Sequence, residues 1–239
     1  MFGIFTGTIV NTLAVIAGTV IGCFLKGDRL KAASDRIFQG FGLFTMVLGI
    51  SGAVGLPHPV FMLVSIIIGT AIGELADLDD KFNRFGEWLR RRFSKGDDSG
   101  KFTDSFLSGV LLFCVGSMTF MGALEAGLSN QHTIYYTKSV LDCFGSCMFA
   151  MGGGFGVGFS AIVVLLYQGG LTALAGLLAP VMTTEIVAVS TAVGSLSLLG
   201  LGMNMLGITK LKVANFLPAM FVPIVYQIIV VVFHLKSLI

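Results

Sequence analysis

Apolar residues run along this chain in stretches of about twenty, separated by short polar segments, and that spacing predicts helices long enough to cross a bilayer. The stretches are 3–25, 37–56, 59–77, 103–125, 155–178, 186–207 and 213–235. A further apolar segment, 138–151, is shorter and runs into Gly152-Gly153-Gly154-Phe155-Gly156-Val157-Gly158. It reads either as an eighth crossing or as a glycine-broken half-helix. The expected fold is all-α: a polytopic transmembrane helix bundle of seven or eight membrane helices, eight preferred, forming a single integral membrane domain over 1–239.

The polar segments orient the bundle, because Lys and Arg collect in short cytoplasmic loops. Loop 26–36 holds Lys26, Arg29, Lys31 and Arg36, while 78–101 holds Lys81, Arg84, Arg90, Arg91, Arg92, Lys95 and Lys101. Both are expected inside, with the N-terminus outside. Eight crossings bring Lys210 and Lys212 inside too and leave both termini outside; seven turn those lysines outward and the C-terminus inward. Eight fits the charge rule better. Within the loop, Leu78, Phe82, Phe85, Trp88, Leu89 and Phe93 recur at three- and four-residue steps. That predicts an amphipathic helix flat on the cytoplasmic face, with its apolar side among acyl chains and Arg90 to Arg92 near anionic headgroups.

Composition removes the soluble alternatives. The chain is 55% hydrophobic and only 12% charged, about half the charge of a soluble domain. The one hydrophilic stretch, Asp77 to Lys101, is too short to bury a core of its own. The net charge of +2 sits in loops and forms no nucleic-acid footprint. Met1 to Leu25 lacks a basic region ahead of its apolar run and reads as a first span, not a cleaved signal. Glycine, 32 residues in all, predicts close helix packing, since lipid tails give helices no hydrophobic reason to associate and small residues let backbones touch.

Weak repetition runs through the chain. Gly18-Thr19-Val20-Ile21-Gly22 recurs as Gly69-Thr70-Ala71-Ile72-Gly73, and Gly42, Gly49 and Gly55 match Gly109, Gly116 and Gly122 in spacing, with Gly194, Gly200 and Gly207 as a looser echo. Duplication of a two-helix unit explains this, and such repeats are common in transporters.

Few residues within the spans carry chemistry. Lys138 and Asp142 stand four apart and share a helix face, where they can pair; an ionisable side chain in lipid is rarely kept without a partner or a water-filled cavity. Asn11, Gln168, Asn204, Asn215 and Gln227 carry polar groups that must turn into the bundle. Glu74, Asp77, Asp104, Glu125 and Glu185 lie at span ends, where water reaches them. Gly152, Gly153, Gly154, Gly156 and Gly158 are expected to break the short helix, and Pro218 and Pro223 to kink the last span. A solute or ion site bounded by Asp142, the glycine run, Gln168 and Asn215 is one reading; helix glue and packing kinks are the other. Cys23, Cys114, Cys143 and Cys147 read as small packing residues, with too few neighbouring histidines for a metal site. Protease, hydrolase, P-loop and dinucleotide motifs are missing, so neither an enzyme nor a cofactor is expected. The function expected is a small-solute or ion transporter or channel; the alternative is a non-transporting structural or regulatory protein that packs with itself, as a homo-oligomer, or with a partner. The lipid bilayer is the partner common to both.

One set of motifs has a family likeness. Gly7-Thr8-Ile9-Val10-Asn11, Lys138-Ser139-Val140-Leu141-Asp142, Tyr167-Gln168-Gly169 and Ala214-Asn215-Phe216-Leu217-Pro218-Ala219, in that order and spread over nearly the whole chain, resemble the bacterial YdfK/YqgA membrane proteins. The resemblance implies a multi-pass protein of the bacterial plasma membrane and supplies no activity. Where relatives in that family carry Val-Gly-Pro-Met, this chain has Val115-Gly116-Ser117-Met118, so a proline kink there is not expected.

Overall fold

The computed structural model describes residues 3–25, 31–55, 58–93 and 99–233. Lys26, Arg29, Lys95 and the last residues of the 213–235 stretch lie outside them, as do the side chains of Lys31, Phe93 and Lys101. Every regular element among the described residues is helical: α1 (Thr6–Leu25), α2 (Lys31–Ala53), α3 (Pro59–Leu75), α4 (Leu78–Phe93), α5 (Ser99–Cys114), α6 (Ser117–Ser129), α7 (Thr133–Gly153), α8 (Ser160–Ala173), α9 (Ala175–Leu178), α10 (Thr184–Met205) and α11 (Val222–Val232). Short 3-10 stretches precede α1, join α7 to α8 (Phe155–Phe159) and lead into α11 (Val213–Phe221).

Four of these segments are long and apolar enough to cross a membrane: Gly3–Leu25, Phe155–Ala173, Thr184–Met205 and Val213–Val232. Two bent pairs raise the count to six, α3 with α4 at 53° and α5 with α6 at 58°. By length and apolarity the described residues give four to six spans, against the seven or eight crossings expected from the chain. The two that do not pass on those grounds are α2, in which the apolar run among residues with described side chains is Gln39–Ala53, and α7, whose apolar run is diluted by Lys138 and Asp142. The outer surface is that of a membrane protein. On α1, Leu13, Ile16, Val20 and Phe24 are exposed on the side away from Asn11, Val15, Gly18 and Gly22, which are buried.

Glycine sets how the helices meet. A Cβ on Gly18 or Gly22 would strike the Cys143 or Cys147 carbonyl, and one on Gly7 would strike Tyr135. Numbers rise together on both helices, so α1 and α7 run parallel at backbone contact. The repeated motif does the same work in α3, where Gly69 lies on Ala219 and Gly73 on the Asn215 carbonyl, this time antiparallel. Gly42 against Met205 and Gly49 against Ser195 and Leu199 make α2 antiparallel to α10. Thr8 near Gly169 and Thr19 near Gly158 make α1 antiparallel to the 155–173 segment.

Several local expectations change. The helix around 138–151 is not short: it runs 21 residues, Thr133–Gly153. Glu125 accepts the Ile134 N–H at 3.0 Å and so satisfies an orphan amide at the helix start. Gly152 and Gly153 are not breaks but the last helical residues. The chain turns at Gly154, φ +81°, a backbone conformation that favours glycine, and Gly156 and Gly158 fall in the following 3-10 stretch. Pro218 lies inside the 3-10 segment and Pro223 in the first turn of α11, where a missing N–H costs nothing; the last span changes helical type at Val222 instead of kinking after Asn215. Conversely, 103–125 is bent although it lacks the family proline, because Gly116 takes φ +133° between Cys114 and Ser117. Amphipathic α4 does not lay its whole apolar face on lipid. Leu89 and Gly86 are buried, Gly86 lies against Thr103, and Phe85 meets Phe106, while Phe85 and Trp88 stay exposed.

These contacts predict that Gly18→Val forces α1 off α7 and destabilises by about 1–3 kcal/mol, whereas Gly170→Ala, with nothing within 4 Å of its Cβ position, leaves stability unchanged or slightly raised. Thermal unfolding of both variants in detergent checks this.

Candidate functional site

The parallel contact of α1 and α7 fixes where polar side chains meet. Asn11, one turn along from Gly7, comes level with Lys138 and Asp142 on α7, and α8, crossing α1 the other way, brings Gln168 to the same depth. Lys138 Nζ donates to Asp142 Oδ2 at 2.6 Å, and Asn11 Nδ2 donates to the same oxygen at 2.9 Å. Asn11 Nδ2 also donates to Gln168 Oε1 at 3.2 Å. The Lys138 ammonium lies 5.9 Å from the ring centroid of Phe113 on α5, a distance at which the ring face attracts a cation. Asn11 and Gln168 are 0% exposed, Lys138 5% and Asp142 6%.

Burying two charges costs several kcal/mol per ion before their mutual attraction is counted. The pair survives because Asp142 gathers both an ammonium and an amide donor on one oxygen. The surroundings are not fully satisfied, however. Asn11 Oδ1, Gln168 Nε2 and the Tyr167 hydroxyl are buried without hydrogen-bond partners, each at a cost of about 1–3 kcal/mol, while the Thr8 and Thr172 hydroxyls lie beside that of Tyr135. Tyr135, fully buried nearby on α7, spends its hydroxyl on the Thr119 carbonyl at 3.2 Å. The centre can therefore still offer donors and acceptors in addition to its ion pair.

Asn215 and Asn204 are placed elsewhere. Asn215 sits where the 3-10 stretch meets α3 and α4: Nδ2 donates to Glu74 Oε2 at 2.6 Å, and Oδ1 accepts the Asp79 N–H at 2.7 Å. Asp79 in turn accepts from the Ala214 N–H at 3.4 Å and from Asn83 Nδ2 at 3.0 Å. Lys212 lies 3.6 Å from Glu74 and 3.9 Å from Asp77. Asn204 Nδ2 donates to the Leu211 carbonyl at 2.7 Å, while Oδ1 accepts from Thr209 and the Leu211 N–H at 2.7 and 2.9 Å; it fixes the turn after α10. A cavity of about 440 Å³ opens between α4, α5, the end of α10 and residues 209–214.

Of the predicted residues, Asn11, Lys138, Asp142 and Gln168 are thus brought together, and Asn204 and Asn215 form a separate polar region. The glycine break joins neither: Gly154 is twelve residues beyond Asp142, about 18 Å along the helix. Thr8, Thr172 and Tyr135 were not singled out from sequence. A usable signal existed for Thr8, since Thr8, Asn11 and Thr12 lie at three- and four-residue spacing on one face of α1. Asp79 is masked in sequence by its place in an ordinary charged helix start.

Fold and site together define a polytopic helical membrane protein with an ion pair buried at its centre. The chain belongs to the family described as "Protein of unknown function (DUF554)", whose model matches residues 6–228. It is 32% identical to the uncharacterized membrane protein YdfK of Bacillus subtilis (strain 168), with 96% of this chain and 99% of that one aligned. It is 30% identical to the uncharacterized protein YqgA of Escherichia coli (strain K12), covering 90% of this chain and 92% of that one. No solved structure matches.

Removing one member of the pair should leave its partner's charge buried and unpaired. Lys138→Met alone is expected to destabilise by about 3–5 kcal/mol, and Lys138→Met with Asp142→Leu to recover most of that. Unfolding midpoints in detergent across the double-mutant cycle read the difference.

Proposed function

We propose that this protein moves a small solute or ion across the bacterial plasma membrane, with Asn11, Lys138, Asp142 and Gln168 as the polar centre of its path. The single observation that carries the reading is the Lys138–Asp142 pair, buried among helices whose outer faces are apolar and flanked by unpartnered amide groups. Ionisable groups at such depth are expensive and mark ion or proton routes more often than mere packing. A cation arriving at Asp142 takes the place of the Lys138 ammonium, and the spare Asn11 carbonyl adds a ligand. No catalytic step is invoked.

The path requires that α7 cross fully. Helix directions support eight crossings: with loops 26–36 and 78–101 inside by the charge rule, α7 parallel to α1 runs inward and α10 antiparallel to α2 also runs inward. Lys210 and Lys212 then join the cytoplasmic side and both termini lie outside. In a vesicle preparation of known sidedness, single cysteines at Gln131 and Pro180 should label from the outside, and one at Lys210 only after permeabilisation. Labelling of Lys210→Cys from outside rejects eight crossings.

A second reading has its own support, since the same hydrogen bonds tie α1, α7 and α8 into a closed knot that a purely structural membrane protein, alone or as a homo-oligomer, would also use. Reconstitution separates the two. Wild-type protein in liposomes is expected to show flux under an ion or pH gradient, and Asp142→Asn to fall to the protein-free rate. Background flux from both, with folded protein confirmed in the vesicles, favours the structural reading.

A further inference from the structure

The cavity at the junction of α4, α5 and the turn after α10 is separate from the Lys138–Asp142 centre, and its unused polar groups define a ligand. Most polar groups around it are already committed: both Asp79 oxygens accept hydrogen bonds, Lys212 faces Glu74 and Asp77, and the Asn204 amide is engaged at both its oxygen and its nitrogen by its own turn. Asp104, Lys210 and Ser108, which also line it, are not. Among the described residues, no ion pair or hydrogen bond engages the Asp104 carboxylate or the Lys210 ammonium. Ser108 is 2% exposed, lines the cavity one helical turn from Asp104, and its hydroxyl likewise has no partner. Leu111 and Leu201 supply an apolar wall.

An ammonium, a carboxylate and a buried hydroxyl have different uses for an incoming molecule. A bare cation would satisfy Asp104 and Ser108 but leave Lys210 and the leucines idle; a fatty carboxylate would satisfy Lys210 and leave Asp104 repelled. A molecule with an ammonium group, a carboxylate and a short aliphatic part uses all of them, and about 440 Å³ is within the usual range for small-molecule sites. We propose that this cavity binds a small zwitterion of the amino-acid type, its ammonium on Asp104 and Ser108, its carboxylate on Lys210 and its side chain against Leu111 and Leu201.

Three probes of matched chain length test it: norleucine, pentylammonium, which lacks the carboxylate, and hexanoate, which lacks the ammonium. Binding to the full chain in detergent is read by calorimetry at fixed ionic strength, with ammonium chloride as the bare-ion arm. Norleucine should bind saturably and about tenfold tighter than pentylammonium, the worth of one charge-assisted contact, and hexanoate and ammonium chloride should not bind. Asp104→Asn should weaken norleucine at least about tenfold, and Lys210→Gln should bring norleucine down to the pentylammonium level; both side chains are exposed, so folding is spared, and elution as the wild-type species verifies it. The proposal is overturned if norleucine shows no saturation up to about 50 mM, if ammonium chloride or hexanoate binds as well, or if Asp104→Asn changes nothing. Because this is an equilibrium measurement without a gradient, it fails or succeeds independently of the flux assay on Asp142.

Discussion

In a hydrocarbon solvent a polar atom has nowhere to turn but inward, and that constraint orders this molecule. Six hydroxyls on the helices obey it locally: Thr12, Thr19, Thr45, Ser65, Ser139 and Ser195 each donate to the carbonyl four residues back. Amides and charges, whose reach is longer and whose needs are greater, obey it across helices. Asn11 therefore has to find Asp142 and Gln168, and Asn215 has to find Glu74 and Asp79.

Those long-range pairings depend on helices approaching to backbone contact, which side chains larger than hydrogen would prevent. The two copies of the Gly-Thr-x-x-Gly motif provide it twice, once for α1 on α7 and once for α3 on the 3-10 stretch before α11. The partners differ in direction, parallel in one case and antiparallel in the other, yet each copy sets a polar group into place: the first brings Asn11 to the ion pair, the second brings Asn215 to Glu74. A repeated packing device thus produces two distinct polar regions, one buried at the centre and one beside the cavity between α4, α5 and the turn after α10.

The two regions divide the chemistry. At the centre, charge is paired within one helix and enclosed by α1, α5 and α8, an arrangement suited to holding or exchanging a small ion. At the junction, carboxylates, lysines and backbone amides come from four separate elements and remain open to solvent, an arrangement suited to recognising a larger polar molecule. α5 connects them: it carries Asp104 and Ser108 at its cavity end and Phe113 beneath the Lys138 ammonium, so a ligand at one end and an ion at the other would act on the same rigid rod.

The chain by itself determined the solvent, and with it the helical class, since runs of apolar residues near twenty long have no other stable form in lipid. It also determined that Lys138 and Asp142 pair, because a four-residue spacing on a helix is a local fact. It could not say which amides share a site. Asn11 and Asn215 look alike along the sequence, and their separation into two regions rests on the pairing of α1 with α7 and of α3 with the 3-10 stretch, contacts between residues more than a hundred positions apart. Nor could it place the backbone breaks: Gly152 and Gly153 stay helical while Gly154 turns, and Gly116 bends a helix that lacks a proline. Glycine permits both outcomes equally, and only the packing around each one, a tertiary property, chooses between them.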